Sequence, residues 1–369
     1  MGDMTIDLDQ RIAAFDKLGR YIESHDERLD AYVQRTAHHN PWFTVENQWR
    51  MLDAIAAQYL SAEKLRAWTS SAPALEATYG QAVPSTSSPR LRSPRLRSAK
   101  AADAGKTVGL VMAGNIPLVG FHDWMTVLLC GHRAQVKLSD KDPYVLPYLS
   151  KKLEELGGMP EGATSFVERL KDFDAVIATG SDNTARYFKQ YFGKYPHIIR
   201  GNRTSVAVLH GTETQAELQA LADDVFAYFG MGCRSISKLY VPEGYQFEAL
   251  LEVLHEHKQL ANHSKWRNNY DYNYALYTIN KEPFLMTGPV LLRESDELHS
   301  RLATLHYEHY ADLANVAIDL NAVKEQLQVV VSAAPVPGLQ VTSPGKAQQP
   351  ALDDYADGVN TLAFLATLS

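Results

Sequence analysis

Two cysteines in 369 residues, Cys130 and Cys233, exclude a disulfide framework and a cysteine-built zinc site. No apolar run approaches the roughly 20 residues that span a bilayer. The opening stretch Met1-Gly2-Asp3-Met4-Thr5-Ile6-Asp7 carries acid where a signal peptide carries base and an apolar segment. A cytoplasmic protein without a membrane span is the expectation. Positive charge is also short: 36 Lys and Arg against 43 Asp and Glu give a net charge of −7. Bulk attraction to nucleic acid or anionic lipid is thereby excluded, because both are held mainly by neutralising phosphates. Neither standard nucleotide motif occurs: there is no Gly-x-Gly-x-x-Gly after the first strand-like run and no Gly-x-x-x-x-Gly-Lys-Ser/Thr loop. What remains is an ordinary globular composition, 45% hydrophobic and 21% charged, long enough for two or three domains with a cleft between them.

From Asp7 to Ala72 the pattern is helical, with Ile12, Phe15, Leu18, Tyr21 and Ile22 forming one apolar stripe. A break at Asn40-Pro41-Trp42-Phe43-Thr44 precedes a second helix that carries Met51, Leu52, Ile55 and Tyr59, with Thr44 as its candidate N-cap. Residues 82–100 read as a linker holding a tandem repeat, Ser88-Pro89-Arg90-Leu91-Arg92 and Ser93-Pro94-Arg95-Leu96-Arg97. The repeat is a solvated linker or, alternatively, a docking patch for a phosphate-bearing ligand. After Gly105, short apolar runs alternate with helical stretches, as in βαβ units around a parallel sheet. The pattern predicts strands at Val108–Met112, Ala134–Leu138, Ala175–Ala178, Ser205–Leu209 and Lys238–Val241. Helices are expected at Leu118–Leu129, Tyr144–Leu156, Asp182–Phe192 and Thr214–Phe229.

Cys233 ends the glycine-rich turn Gly230-Met231-Gly232-Cys233, on tight backbone whose free amides would stabilise an exposed thiolate; it is a candidate nucleophile. Cys130 follows Val127-Leu128-Leu129 and reads as a small buried hydrophobe. Asn115, between a strand and a helix, either donates to a developing oxyanion or caps that helix. Thr179-Gly180-Ser181 leaves a strand and enters a helix, where amides and a hydroxyl meet a pyrophosphate. His255-Glu256-His257 and His306-Tyr307-Glu308-His309 lack a metal-binding spacing and read as solvated helix faces, so no metal is expected. His122-Asp123 serves acid–base chemistry or orders the first crossover. The run Asn268–Tyr274 lines an acyl tunnel or satisfies a loop's backbone.

In order, Gly114-Asn115-Ile116-Pro117, Val136-Lys137-Leu138-Ser139, Thr179-Gly180-Ser181 and Gly230-Met231-Gly232-Cys233 resemble the motif series of the aldehyde dehydrogenase superfamily. The stretches Gly114–Asp123, Phe229–Ser235 and Tyr355-Ala356-Asp357-Gly358 narrow the likeness to the LuxC-like acyl-CoA reductases. The resemblance covers most of the chain. It implies an α/β fold of the aldehyde dehydrogenase type: a dinucleotide-binding α/β domain and an α/β catalytic domain, with a helical N-terminal segment. The corresponding expected boundaries are 1–81 (helical), 82–104 (basic linker), 105–204 (dinucleotide), 205–345 (catalytic) and 346–369 (packing or oligomerisation). It further implies Cys233 as acyl-accepting nucleophile and Asn115 as oxyanion donor. Lys137 would hold the adenosine ribose, Ser139 and Asp140 would lie beside it at the cofactor, and Gly180 and Ser181 would lie at the pyrophosphate.

One departure from the family pattern bears on the chemistry. Aldehyde-oxidising members carry a glutamate that activates water; the matching stretch here is Ile199-Arg200-Gly201-Asn202-Arg203-Thr204, and no Asp or Glu occurs from Lys194 to Thr212. Loss of a positioned base costs about 10²–10⁴-fold in its step. The acyl-enzyme is therefore expected to await hydride or another thiol. The resemblance implies NADP(H) rather than NAD(H), although Asp140 is a carboxylate suited to a ribose 2′-hydroxyl, which Lys141 or the arginine-rich repeat would offset. The leading expectation is reduction of a long-chain acyl-CoA, or another activated acyl donor, to the aldehyde by a homo-oligomer. An aldehyde-oxidising dehydrogenase and a catalytically silent acyl- or nucleotide-binding subunit stand as alternatives.

Overall fold

The computed structural model describes residues 6–71 and 105–368. The linker expected at 82–104, with its Ser88–Arg97 repeat, lies outside the described residues.

Four helices open the fold: α1 (Leu8–Glu23), α2 (Glu27–His39), α3 (Val45–Tyr59) and α4 (Ala62–Thr69). A capping box starts α1, where Asp7 and Gln10 satisfy each other's backbone amides. The Thr44 hydroxyl caps α3 by accepting from Asn47 N, as its sequence position predicts. The expected stripe is buried at Ile12, Phe15, Leu18 and Ile22, and with Leu52 and Ile55 of α3 it packs into one core with the sheet that follows.

That sheet contains β1 (Thr107–Val111), β2 (Arg133–Lys137), β3 (Thr164–Phe166), β4 (Ala175–Thr179) and β5 (His197–Arg200) in the order β3-β2-β1-β4-β5. All its pairings are parallel. Helices α5 (Phe121–Leu129), α6 (Val145–Glu155) and α7 (Asp182–Phe192) make the crossovers. Strand order reverses between β1 and β4. Their loops consequently diverge at the carboxyl edge and leave a crevice there, as open α/β sheets do.

Four residues after the end of β5 the chain enters a second sheet. It comprises β6 (Thr204–Val208), β7 (Ile236–Pro242), β8 (Leu285–Met286), β9 (Leu291–Glu294), β10 (Thr304–Tyr310) and β11 (Leu327–Val331), in the order β11-β6-β7-β10-β9-β8. Among the described residues, only β8 and β9 pair antiparallel. The second sheet is flanked by α8 (Gln215–Phe226), α9 (Glu248–Glu256), α10 (Ser264–Asn280) and α11 (Leu313–Ala322), and α12 (Thr361–Ala366) ends the described chain. Leu362 and Leu365 of α12 are fully buried in the first core, so the last segment packs back onto the body. His132 Nε2 fixes it through the Leu365 carbonyl at 3.0 Å. Among the described residues, no helix is long and apolar enough to cross a membrane.

Four sequence expectations are corrected. Helix α5 starts at Phe121, not Leu118, because Leu118 is left-handed (φ 53°) with its amide bonded to Asp142 Oδ2 at 2.8 Å. Helix α8 stops at Phe226; Tyr228 and Phe229 take left-handed backbone and cannot continue it. His306–His309 lie on strand β10, and His306 is buried with Nδ1 bonded to the Glu297 carbonyl. Asn268–Tyr274 belongs to α10, where buried Asn273 donates to the Leu302 carbonyl at 2.7 Å.

Candidate active site

Cys233 stands three residues before β7, where the amino edge of the second sheet meets the carboxyl edge of the first. Its approach is strained: Tyr228 (φ 52°), Phe229 (φ 56°) and Gly230 (φ 66°) are left-handed in succession, and non-glycine residues resist this by about 1–2 kcal/mol each. Packing holds them. Phe229 packs edge-on against Trp42 at 5.2 Å and tilted against His263 at 4.5 Å between ring centroids, and Tyr228 is buried. The Cys233 carbonyl accepts from Ser205 Oγ of β6 at 2.9 Å, which fixes the loop to the sheet.

Asn115 sits in the loop after β1. Its Nδ2 donates to the Met231 carbonyl at 2.8 Å and ties that loop to the cysteine turn. It does not cap α5, whose N-cap is Gly120. The loop after β2 comes equally close: a Cβ at Gly114 would stand 2.2 Å from Ser139 Oγ. That loop is braced by the end of α2 and the break that follows it: His39 Nε2 bonds the Asp140 carbonyl at 2.7 Å and Asn40 Nδ2 the Lys141 carbonyl at 3.3 Å. One short motif thus supports the β2 loop through Asn40 and the cysteine turn through Trp42.

These loops enclose a cleft of about 520 Å³ that brings together Asn115, Ser139, Gly180, Ser181 and Cys233. Lys137 and Asp140 do not line it: both are exposed, Lys137 as the last residue of β2 and Asp140 in the turn beyond. Lys141 does line it. Ser181 Oγ caps α7 by accepting from Thr184 N at 3.4 Å, so the first amides of α7 open beside Gly180. Behind Cys233 lies a second cavity of about 160 Å³. Its lining is mainly apolar, including Ile55 and Tyr59 of α3, Leu118, Phe121 and Tyr228. Cys233 and Arg200 line both spaces.

Arg200 ends β5 and is buried. Its Nη1 and Nη2 fork onto Asp123 at 2.5 and 3.0 Å, and Nη2 also reaches Thr361 Oγ1 at 3.0 Å. The acid–base alternative for Asp123 thus gives way to an ion pair, and the neighbouring His122 bonds the Leu352 carbonyl at 3.0 Å. Two more pairs complete the surroundings, Arg234 with Asp354 at 2.7 Å and Arg203 with Asp357 at 3.1 Å. Nothing local in the sequence signals the Arg200–Asp123 pair, whose members are 77 positions apart.

Cys233 is exposed to the cleft, yet the expected stabilisation of its thiolate is corrected: desolvation raises its pKa above the ordinary thiol value. Asp357 adds to the rise, whereas Arg234, the backbone amide of Cys233 and Arg200 oppose it. Cys130 is fully buried, with its thiol pushed up to about 12 by desolvation, which agrees with its reading as a core residue. Burial also raises the Asp357 carboxyl, against the pull of Arg203 and Arg200. Among the described residues no group of three or more His, Cys, Asp or Glu is placed to hold a metal.

Residues 85–273, just over half the chain, match the family described as acyl-CoA reductase (LuxC). A long-chain acyl-protein thioester reductase of Photorhabdus laumondii is 23% identical over 222 residues, 55% of this chain and 45% of that protein. An N-succinylglutamate 5-semialdehyde dehydrogenase of Vibrio cholerae is 27% identical over 142 residues, 34% of this chain and 29% of that one. The matched stretches thus span less than half of these relatives' length. In three dimensions the chain is similar to aldehyde dehydrogenase 21 of Physcomitrella patens (TM-score 0.59, 13% identity, 95% of this chain and 84% of that one). An NAD-dependent benzaldehyde dehydrogenase of Corynebacterium glutamicum is similar as well (TM-score 0.61, 13% identity, 88% and 76%). With the cysteine turn, the asparagine loop and the doubly wound sheet in one arrangement, the chain belongs to the LuxC acyl-CoA reductase family, with the aldehyde dehydrogenase fold.

Proposed function

We propose that the protein reduces an acyl thioester, acyl-CoA or another activated acyl donor, to the aldehyde through an acyl group carried on Cys233. The observation that supports this reading is the place of Cys233 on the common wall of two cavities of different character. The larger cleft, edged by the Gly114, Ser139 and Gly180 loops and the amino end of α7, fits a dinucleotide bound without the glycine fingerprint. Residues 105–204 then act as the dinucleotide-binding unit and 205–345 as the catalytic one. The apolar cavity suits an acyl chain.

A reduced nicotinamide dinucleotide, when bound, supplies the hydride for this reduction. The chain's own residues do the rest. The Cys233 thiolate attacks the thioester and exchanges it for one of similar energy, and the donor thiol leaves. Asn115, held against the Met231 carbonyl by one N–H, has a second Nδ2 proton for the carbonyl oxygen as charge grows there. Water is poorly served. The carboxylates lining the two cavities, Asp123, Asp354 and Asp357, are each ion-paired to an arginine, and by the sequence resemblance Ile199 falls at the place of the oxidising enzymes' glutamate. NADP(H) is preferred over NAD(H), since Lys141 faces the cleft and Asp140 does not.

The test is product identity. With dodecanoyl-CoA and NADPH the protein should form a hydrazine-trappable aldehyde, and Cys233→Ala should form none. Free fatty acid released without NADPH consumption would show instead that water discharges the acyl-enzyme, and acid formed from dodecanal with NADP+ would support the oxidising alternative.

A further inference from the structure

Arg200 is buried at the junction of the two cavities with both terminal nitrogens engaged, Nη1 by Asp123 and Nη2 by Asp123 and Thr361, while its Nε has no hydrogen-bond partner. A buried N–H without an acceptor is costly, and a native structure that keeps one needs a reason for it. The fork onto Asp123 also prevents the guanidinium from turning to find another acceptor. We propose that Arg200 is the fixed cation of the Cys233 site, whose free Nε–H meets the sulfur when it carries negative charge.

The inference rests on the reading of Cys233 as the acyl carrier, and it names how that carrier leaves. Once hydride has added to the acyl carbon, the carbonyl re-forms and the C–S bond breaks. Its electron pair stays on Sγ, the aldehyde departs, and the two electrons gained by the acyl carbon have come from the dinucleotide. The sulfur is left as a thiolate in a desolvated place that disfavours it. Of the charged groups around it, Arg234 from its own loop exerts the larger pull and is matched by Asp354, Asp357 from the C-terminal turn is a repelling charge matched by Arg203, and Arg200 is matched by Asp123 but keeps a buried Nε–H without an acceptor. Tyr59 of α3 and Tyr228 are pushed up to about 12 by burial, and burial lowers His122 of α5, so all three are neutral at neutral pH. Arg200 of β5, with Asp123 behind it on α5, is the cation that borders both the cofactor cleft and the acyl cavity.

The experiment follows the rate of Cys233 alkylation by iodoacetamide across pH 6–10.5 in the full chain, read by mass spectrometry and without acyl donor or dinucleotide. Arg200→Gln should displace the profile upward by about one pH unit, which is about tenfold slower labelling below the thiol pKa. Asp123→Asn, which leaves the arginine charge uncompensated, should displace it downward, and Arg200→Lys, which keeps the charge but lacks an Nε–H beside the fork, should lie between the native and Arg200→Gln curves. An unchanged profile in Arg200→Gln, or displacement of Arg200→Gln and Asp123→Asn in the same direction, would show that the pair only holds the fold together. If Arg200→Gln does not fold, Asp123→Asn decides, and a profile that fails to fall overturns the proposal. Absence of an acyl adduct on the native protein would strike the parent reading alone, because alkylation needs no acyl transfer.

Discussion

Replacing Asp142 by asparagine tests what holds the Asn115 loop in place. Asp142 accepts the Leu118 amide through Oδ2 at 2.8 Å, while its Oδ1 is buried without a partner. Desolvation pushes its carboxyl from 3.8 up to about 6, with the Leu118 hydrogen bond pulling the other way. Between about pH 4 and pH 6 the folded chain therefore keeps a proton that the unfolded chain has released. Stability falls as pH rises through that window, and the full cost is present at pH 7. Two pH units at about 1.4 kcal/mol each make that cost about 3 kcal/mol. Asparagine has no proton to lose here. The stability of the native protein relative to Asp142→Asn should thus drop by about 3 kcal/mol from pH 4 to pH 7. The difference cancels the titration of Asp224, also raised to about 6, and of the buried histidines, which both proteins share. Urea unfolding followed by tryptophan fluorescence at fixed ionic strength measures it. A difference that stays flat with pH would refute the assignment of an uncompensated buried carboxylate.

Three other outcomes are expected. Gly114→Ala places a Cβ 2.2 Å from Ser139 Oγ and should weaken NADPH binding on the order of tenfold, with Gly114→Ala/Ser139→Gly recovering it; equal affinities in a fluorescence titration would contradict the loop contact. Ala54 lines both the apolar cavity and an adjoining one of about 380 Å³ that shares Gln58, Tyr228 and Gln348 with it. Ala54→Trp should therefore slow loading of dodecanoyl-CoA on the order of tenfold while sparing acetyl-CoA, and a parallel loss for both chains would refute the path. Native protein at pH 8 should take up a single iodoacetamide label, on Cys233, because Cys130 is buried; rapid labelling of Cys130 would contradict its core placement.

Much of the fold could be read from local pattern. Ile12, Phe15, Leu18 and Ile22 mark the buried face of α1, Thr44 caps α3, and the apolar runs of β1, β2, β4 and β6 alternate with helices as a parallel sheet requires. Local pattern fails where tertiary contacts set the backbone. Leu118 is apolar and helix-compatible, but the Asp142 carboxylate delays α5 to Phe121. Phe229 reads as the end of α8, but Trp42 and His263 hold it in a left-handed turn. His306 reads as surface-bound because helical and strand periods are hard to separate in four residues, and its pairing to Lys238 on one side and Arg293 on the other places it in a sheet. At the site, the cysteine turn, the Asn115 loop and the Gly180-Ser181 loop were visible as motifs. Lys137 and Asp140 fall outside the cleft because the strand ends before the loop turns inward, and Lys141 takes the inward position. Arg200 carries no local signal because its meaning depends on Asp123 and Thr361, brought together only by folding.

The central claim is that Cys233 carries the acyl group, and intact-protein mass spectrometry after mixing with dodecanoyl-CoA tests it most directly. The account predicts one acyl adduct on the native protein, none on Cys233→Ala, and discharge of the adduct as aldehyde when NADPH is added. An adduct that persists in Cys233→Ala, or native protein that forms aldehyde with no adduct at this cysteine, would contradict it.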